Sequence, residues 1–74
     1  MNGVQARMAR AATQLSIREI ARRAKVSPTT IVRIEAGMPA NSATIEAIRR
    51  VFEAAGVEFT NGGRPGASMK EQDR

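Results

Sequence analysis

Apolar positions recur along this chain at two periods, and the change of period divides it. Up to about residue 55 the recurrence is helical. Val4, Met8, Ala11 and Ala12 predict a first helix over residues 4–12, with these side chains on its inner face and Arg7 and Arg10 at its edges. Residues 1–3 read as a frayed start in which Asn2 is available as a cap. Ile17, Ile20, Ala21 and Ala24 predict a second helix, and Leu15 packs the corner before it. Ile31 and Ile34 give a narrow stripe for a third helix over about residues 28–36. Ile45, Ile48, Val51 and Phe52 give a broader stripe for a fourth over about residues 43–55. At Val57-Glu58-Phe59-Thr60 the period drops to two, which predicts a short strand. The expected fold class is all-α: a four-helix domain over residues 1–56, a short C-terminal strand at 57–60 and a flexible tail over 61–74.

The residues between the stripes supply starts and stops. Ser16 is a good N-cap, and Glu19 three residues later completes the pattern of a capping box. Ser27-Pro28 is a second start, a cap followed by the residue best tolerated at the first helical position. Gly37 is placed to end the third helix in the left-handed conformation, and Pro39 prevents a restart. Asn41 or Ser42 caps the fourth helix or donates to a phosphate, and Gly56 ends that helix. Ala21 carries only a methyl group, so another helix can cross close over it, and Val26 plugs the turn between the second and third helices.

Two short helices joined by a turn of about four residues have the layout of a helix-turn-helix, whose second helix enters the major groove of DNA. Thr29, Thr30, Val32 and Arg33 lie off the Ile31/Ile34 stripe and are expected to face outward. Pro28, Thr29, Thr30 and Arg33 are therefore the candidate base contacts. A threonine hydroxyl bonds to bases or phosphates, its methyl meets a thymine methyl, and arginine makes a bidentate contact to guanine. Arg18, Arg22, Lys25, Ser27 and Asn41 are the candidate phosphate contacts. Arg18 and Arg22 are four apart on one face, where a phosphate neighbour would relieve their repulsion. Arg23 reads as a contact to DNA or as plain surface; Arg7 is solvated or a further phosphate contact.

On Ile20-Ala21, Ala24, Val26-Ser27, Ile31, Ile34-Glu35 and Gly37, the chain resembles the XRE family, the Cro and phage-repressor type of helix-turn-helix regulator, over roughly residues 3–56. The resemblance implies a lambda-repressor-like fold and a recognition helix starting near Ser27. Its implied readers are Thr29, Thr30 and Arg33, with Pro28 setting the entry. It also implies an ion pair between Arg10 and Glu35, although Arg10 has a direct phosphate contact as its second reading. Two positions depart from the family pattern. Lys25 stands where glycine is usual, at a left-handed position that costs a side chain on the order of 1 kcal/mol. Ile17 stands where glutamine commonly meets a phosphate, so that task passes to the helix N-terminus or Arg18.

Charge points the same way. The chain has 74 residues and a formal net charge of +5. Residues 1–35 hold seven basic and two acidic side chains, whereas residues 36–74 hold five of each, so the whole excess lies on the half with the motif. Such a footprint suits a polyanion. Phe52 and Phe59 are the only aromatics, too few to stack single-stranded bases, which favours duplex DNA over RNA. The absence of cysteine and histidine excludes disulfides and the usual zinc sites and fits a cytoplasmic location. No cofactor is implied. No signal-peptide or membrane-spanning pattern is present, and nothing resembles a catalytic constellation.

The C-terminal part leaves alternatives open. The strand at 57–60 lies along the fourth helix, or pairs with its copy in a second subunit to give a homodimer. Residues 61–66 read as a linker whose Gly63-Arg64-Pro65 faintly matches an AT-hook, and residues 67–74 as disordered. The expected function is transcription regulation through double-stranded DNA. The alternative is an antitoxin that controls its own promoter and holds a toxin protein through residues 57–74.

Overall fold

The computed structural model describes residues 1–60 and 63–70. Among them, helices α1 (Gly3–Thr13), α2 (Ile17–Ala24), α3 (Pro28–Glu35) and α4 (Ser42–Ala54) precede two strands, β1 (Val57–Thr60) and β2 (Gly66–Met69).

The helix boundaries follow from local chemistry. Asn2 caps α1 by accepting from the Gln5 N–H at 2.8 Å, while the Gln5 side chain accepts from the Asn2 N–H at 2.9 Å. This reciprocal box pins a start that the sequence suggests is frayed. Ser16 Oγ accepts from the Glu19 N–H at 3.0 Å. The return bond expected of Glu19 is not made, because its carboxylate turns to Arg22 and Arg23, which offer stronger, charge-assisted bonds. Ser27 caps α3, and Asn41 Oδ1 caps α4 through the Thr44 N–H at 2.8 Å. Lys25 takes up the expected left-handed conformation at φ 60°. The Val26 N–H then reaches back to the Ala21 carbonyl at 3.0 Å, closing α2 with a Schellman turn. Gly37, at φ 84°, closes α3 in the same way through Met38 and Arg33.

Ile20, Ala21, Ile31, Ile34, Ile48, Val51, Phe52 and Val57 form the core, with Leu15, Ile17, Ala24 and Val26 packed against it. The first helix faces it differently from the expectation. Val4, Met8, Ala11 and Ala12 are exposed, and Gln5, Ala6 and Ala9 are buried. The cause is close approach. A Cβ at Gly3 would collide with the Ile34 carbonyl oxygen, so α1 begins almost against the end of α3. Only small side chains fit between such backbones. Gln5 is admitted because its Nε2 donates to the carbonyls of Thr60 at 2.8 Å and Gly66 at 3.1 Å, tying the strand ends to α1.

The strand at 57–60 forms as predicted, and its hydrogen-bonding partner lies in the same chain. It pairs antiparallel with β2, with Val57 opposite Met69 and Phe59 opposite Ala67. Residues 66–69, expected to belong to a flexible tail, are thus a second strand, and the expected fold class gains a two-stranded sheet. β1 packs against both α4 and α1. Val57 is fully buried, and Phe59 meets Phe52 edge to face at 6.2 Å. A strand reading Gly-Ala-Ser-Met has almost no apolar alternation to announce it. Residues 61–62 and 71–74, also part of the expected tail, lie outside the described residues.

Candidate nucleic-acid interface

Helix α3 is anchored on one side and bare on the other. Ile31 and Ile34 are buried, whereas Pro28, Thr29, Val32 and Arg33 are exposed. Thr30 departs from the expectation. It is half-buried, and its hydroxyl lies 3.0 Å from Ser27 Oγ. Its position, 100° of helical rotation past Thr29, swings it towards the Ile34 side. Of the four candidate base contacts, the structure brings Pro28, Thr29 and Arg33 together on open surface and turns Thr30 to supporting the helix start. Thr29 and Arg33 form one i, i+4 row; Pro28, Val32 and the exposed Ala36 form a second beside it.

The orientation of α3 is held by an ion pair. Arg10 Nε donates to Glu35 Oε2 at 2.7 Å and its Nη2 to Oε1 at 2.9 Å, a bidentate arrangement. Glu35 is only 8% exposed. Its bond to Arg10, opposed by burial, holds the guanidinium pKa above its usual value. A carboxylate in the last turn of a helix opposes the helix dipole, so the guanidinium offsets an unfavourable placement while fastening α1 to α3. Arg10 is thereby committed to a partner within the chain, in agreement with its pairing role.

The remaining cations of residues 1–35 sort into two groups. Arg7, Arg18, Lys25 and Arg33 have no carboxylate within ion-pair distance among the described residues. Arg22 and Arg23 share Glu19, with Arg23 Nε at 2.8 Å, and these bonds hold the Glu19 carboxyl below the usual range. Pairs this exposed contribute little and exchange readily for a phosphate. Arg18, Arg22 and Lys25 are exposed on α2 and the turn after it. Ser27 and Asn41 are exposed as well, but their side-chain oxygens serve as caps. The Asn41 amide nitrogen is the group of that residue suited to donate to a phosphate.

Gln5 is a buried polar anchor that hydrophobic periodicity misses. The signal for it is Asn2-x-x-Gln5, a capping-box pattern. Two depressions border Gly3 at the α1–α3 junction, and the one acidic residue lining them is Glu35, already bonded to Arg10. Among the described residues there is no group of three potential metal ligands, and no helix is long and apolar enough to cross a membrane.

No curated protein matches the sequence. The family model for a helix-turn-helix domain matches residues 3–60, covering all four helices and β1. The chain therefore belongs to the helix-turn-helix domain family, a membership that supports binding to double-stranded DNA.

Proposed function

We propose that this protein is a sequence-specific, double-stranded DNA-binding transcription regulator of the XRE, Cro and phage-repressor type. It acts as a homodimer on a two-fold operator. Helix α3 lies in the major groove, where Thr29 and Arg33 meet base edges and Pro28 sets the entry. Arg18, Arg22, Lys25, Ser27 and Asn41 line the phosphates. The observation that carries this reading is the two-sided character of α3. Ile31, Ile34 and the Glu35–Arg10 pair fix it to the body, and an arginine with no carboxylate partner among the described residues stands on its open face.

Pairing of β1 with β2 changes what a dimer would use. A strand-mediated dimer would form at an outer edge of the two-stranded sheet, because one edge of each strand is already occupied. The antitoxin alternative is altered likewise. Residues 57–60 and 66–69 are folded against the helices, so a toxin would meet a built hairpin surface.

Selection from a random duplex pool tests the reading, followed by affinity and stoichiometry measurements on the selected sequence. The expected result is a two-fold symmetric site occupied by two chains. Arg33→Ala should lower specific affinity by about 1–3 kcal/mol and relax one base position in each half-site. Equal losses on specific and random duplexes would remove Arg33 from base reading.

A further inference from the structure

We propose that the apolar row of α3 reads thymine methyl groups, with Val32 as the residue that sets this preference. The inference rests on the DNA-binding reading above and adds a chemical specificity to it. Val32 is 52% exposed, so about half of an isopropyl group is left in water at the middle of an eight-residue helix. Pro28 stands one turn before it and Ala36 one turn after, both exposed. The bare face of α3 thus carries a polar row, Thr29 and Arg33, next to an apolar row, Pro28, Val32 and Ala36.

The duplex major groove offers a matching pair of features. Purine edges present hydrogen-bonding atoms, and thymine presents the C5 methyl as the apolar group of the groove floor. A second protein chain is the competing occupant for an apolar row, and the local charge argues against it. Lys25 precedes the row, and Arg7 lines the same depression as Ala36 at its far end. Neither cation has a carboxylate partner among the described residues. An apolar strip bordered by unneutralised cations suits a partner that brings methyl groups and phosphates together.

The test uses the full chain and its selected duplex, with each thymine replaced in turn by deoxyuridine, which removes only the methyl. For the native chain, affinity should fall about fourfold at one or two positions per half-site, the value of burying one methyl-sized group. In Val32→Ala the same replacements should have no effect. The variant folds, because the site is exposed and alanine is the better helix former. Indifference of the native chain to uracil, unchanged sensitivity in Val32→Ala, or a selected site without thymine would each overturn the inference while leaving DNA binding intact. Failure to enrich any duplex would instead remove the DNA-binding reading, and the inference with it.

Discussion

Helices α1 and α3 lie against one another and use opposite rules to decide which side is buried. In α3 the apolar periodicity and the core coincide, with Ile31 and Ile34 inside and Thr29 and Arg33 outside. In α1 they are opposed. Val4 and Met8 are 52% and 42% exposed, while Ala9 is completely enclosed and Gln5 nearly so. The difference lies in the distance each helix must keep from its neighbours. α3 is held against α2 by branched side chains that fill the gap, so bulk marks its inner face. α1 approaches until Gly3 touches the backbone of α3, so smallness marks its inner face, and the large residues are left outside.

Installing the same side chain on the inner faces of both helices should separate them most. Ala9→Leu forces three extra carbons into a contact without space, at a cost of about 3 kcal/mol. Ile31→Leu conserves volume and should cost less than about 1.5 kcal/mol. In a domain of this size about 1 kcal/mol moves the melting midpoint by 4–8 °C, so thermal unfolding followed by circular dichroism resolves the two. Equal, small losses would show that α1 has room to recede and is not pinned at Gly3.

This contrast also explains how much of the molecule could be read from its residues. Helices whose gaps are filled by Ile, Val and Phe were legible, as were their caps at Ser16 and Ser27 and their left-handed ends at Lys25 and Gly37, while the α4 cap was narrowed only to Asn41 or Ser42. The open surface of α3 followed, because the face opposite a buried stripe is exposed by geometry. The Arg10–Glu35 pair was legible only through family resemblance, since no local pattern joins residues 25 apart. The inner face of α1 was hidden because periodicity scales score size and apolarity together, and here they part. β2 was hidden because its Gly-Ala-Ser-Met gains its place from pairing with β1 and from Gln5, both distant in sequence. Thr30 faces outward less than its pattern suggests for a smaller reason: on a helix with a narrow stripe, a residue 100° from the outward direction is claimed by the cap.

Gln5 tests the polar half of the α1 rule. Gln5→Leu keeps roughly the size of the side chain and removes both its donor, leaving the carbonyls of Thr60 and Gly66 without that bond, and the acceptor that holds the Asn2 N–H in the cap. A loss of about 2 kcal/mol is expected for these part-buried bonds and the cap bond together. The position of the loss is as informative as its size. Amide exchange should accelerate in β1 and β2 ahead of α2 and α3, because α1 is the element that fastens the strand ends. Uniform acceleration across all elements would mean that Gln5 acts as general core filling and that the hairpin is held by Val57 and Phe59 alone.

The smallest effect is expected where the sequence pattern expects a large one. Met8→Ser and Val4→Ser remove apolar side chains from the positions that look most like the core of α1. Both are exposed to solvent in the folded chain, so neither change opens a cavity. Surface substitutions of this kind stay within about 0.5 kcal/mol, and the melting midpoint should hardly move. Affinity for the selected duplex should be unchanged as well, since the cations proposed to meet phosphates and α3 are untouched. A fall in stability above about 1 kcal/mol that grew with protein concentration would mean that a second copy of the chain covers this face. Exposed Val and Met here would then have the same meaning as buried Ile in α3. If the loss is absent at every concentration, the outer face of α1 is solvent surface, and the apolar period of that helix reports neither its core nor a partner.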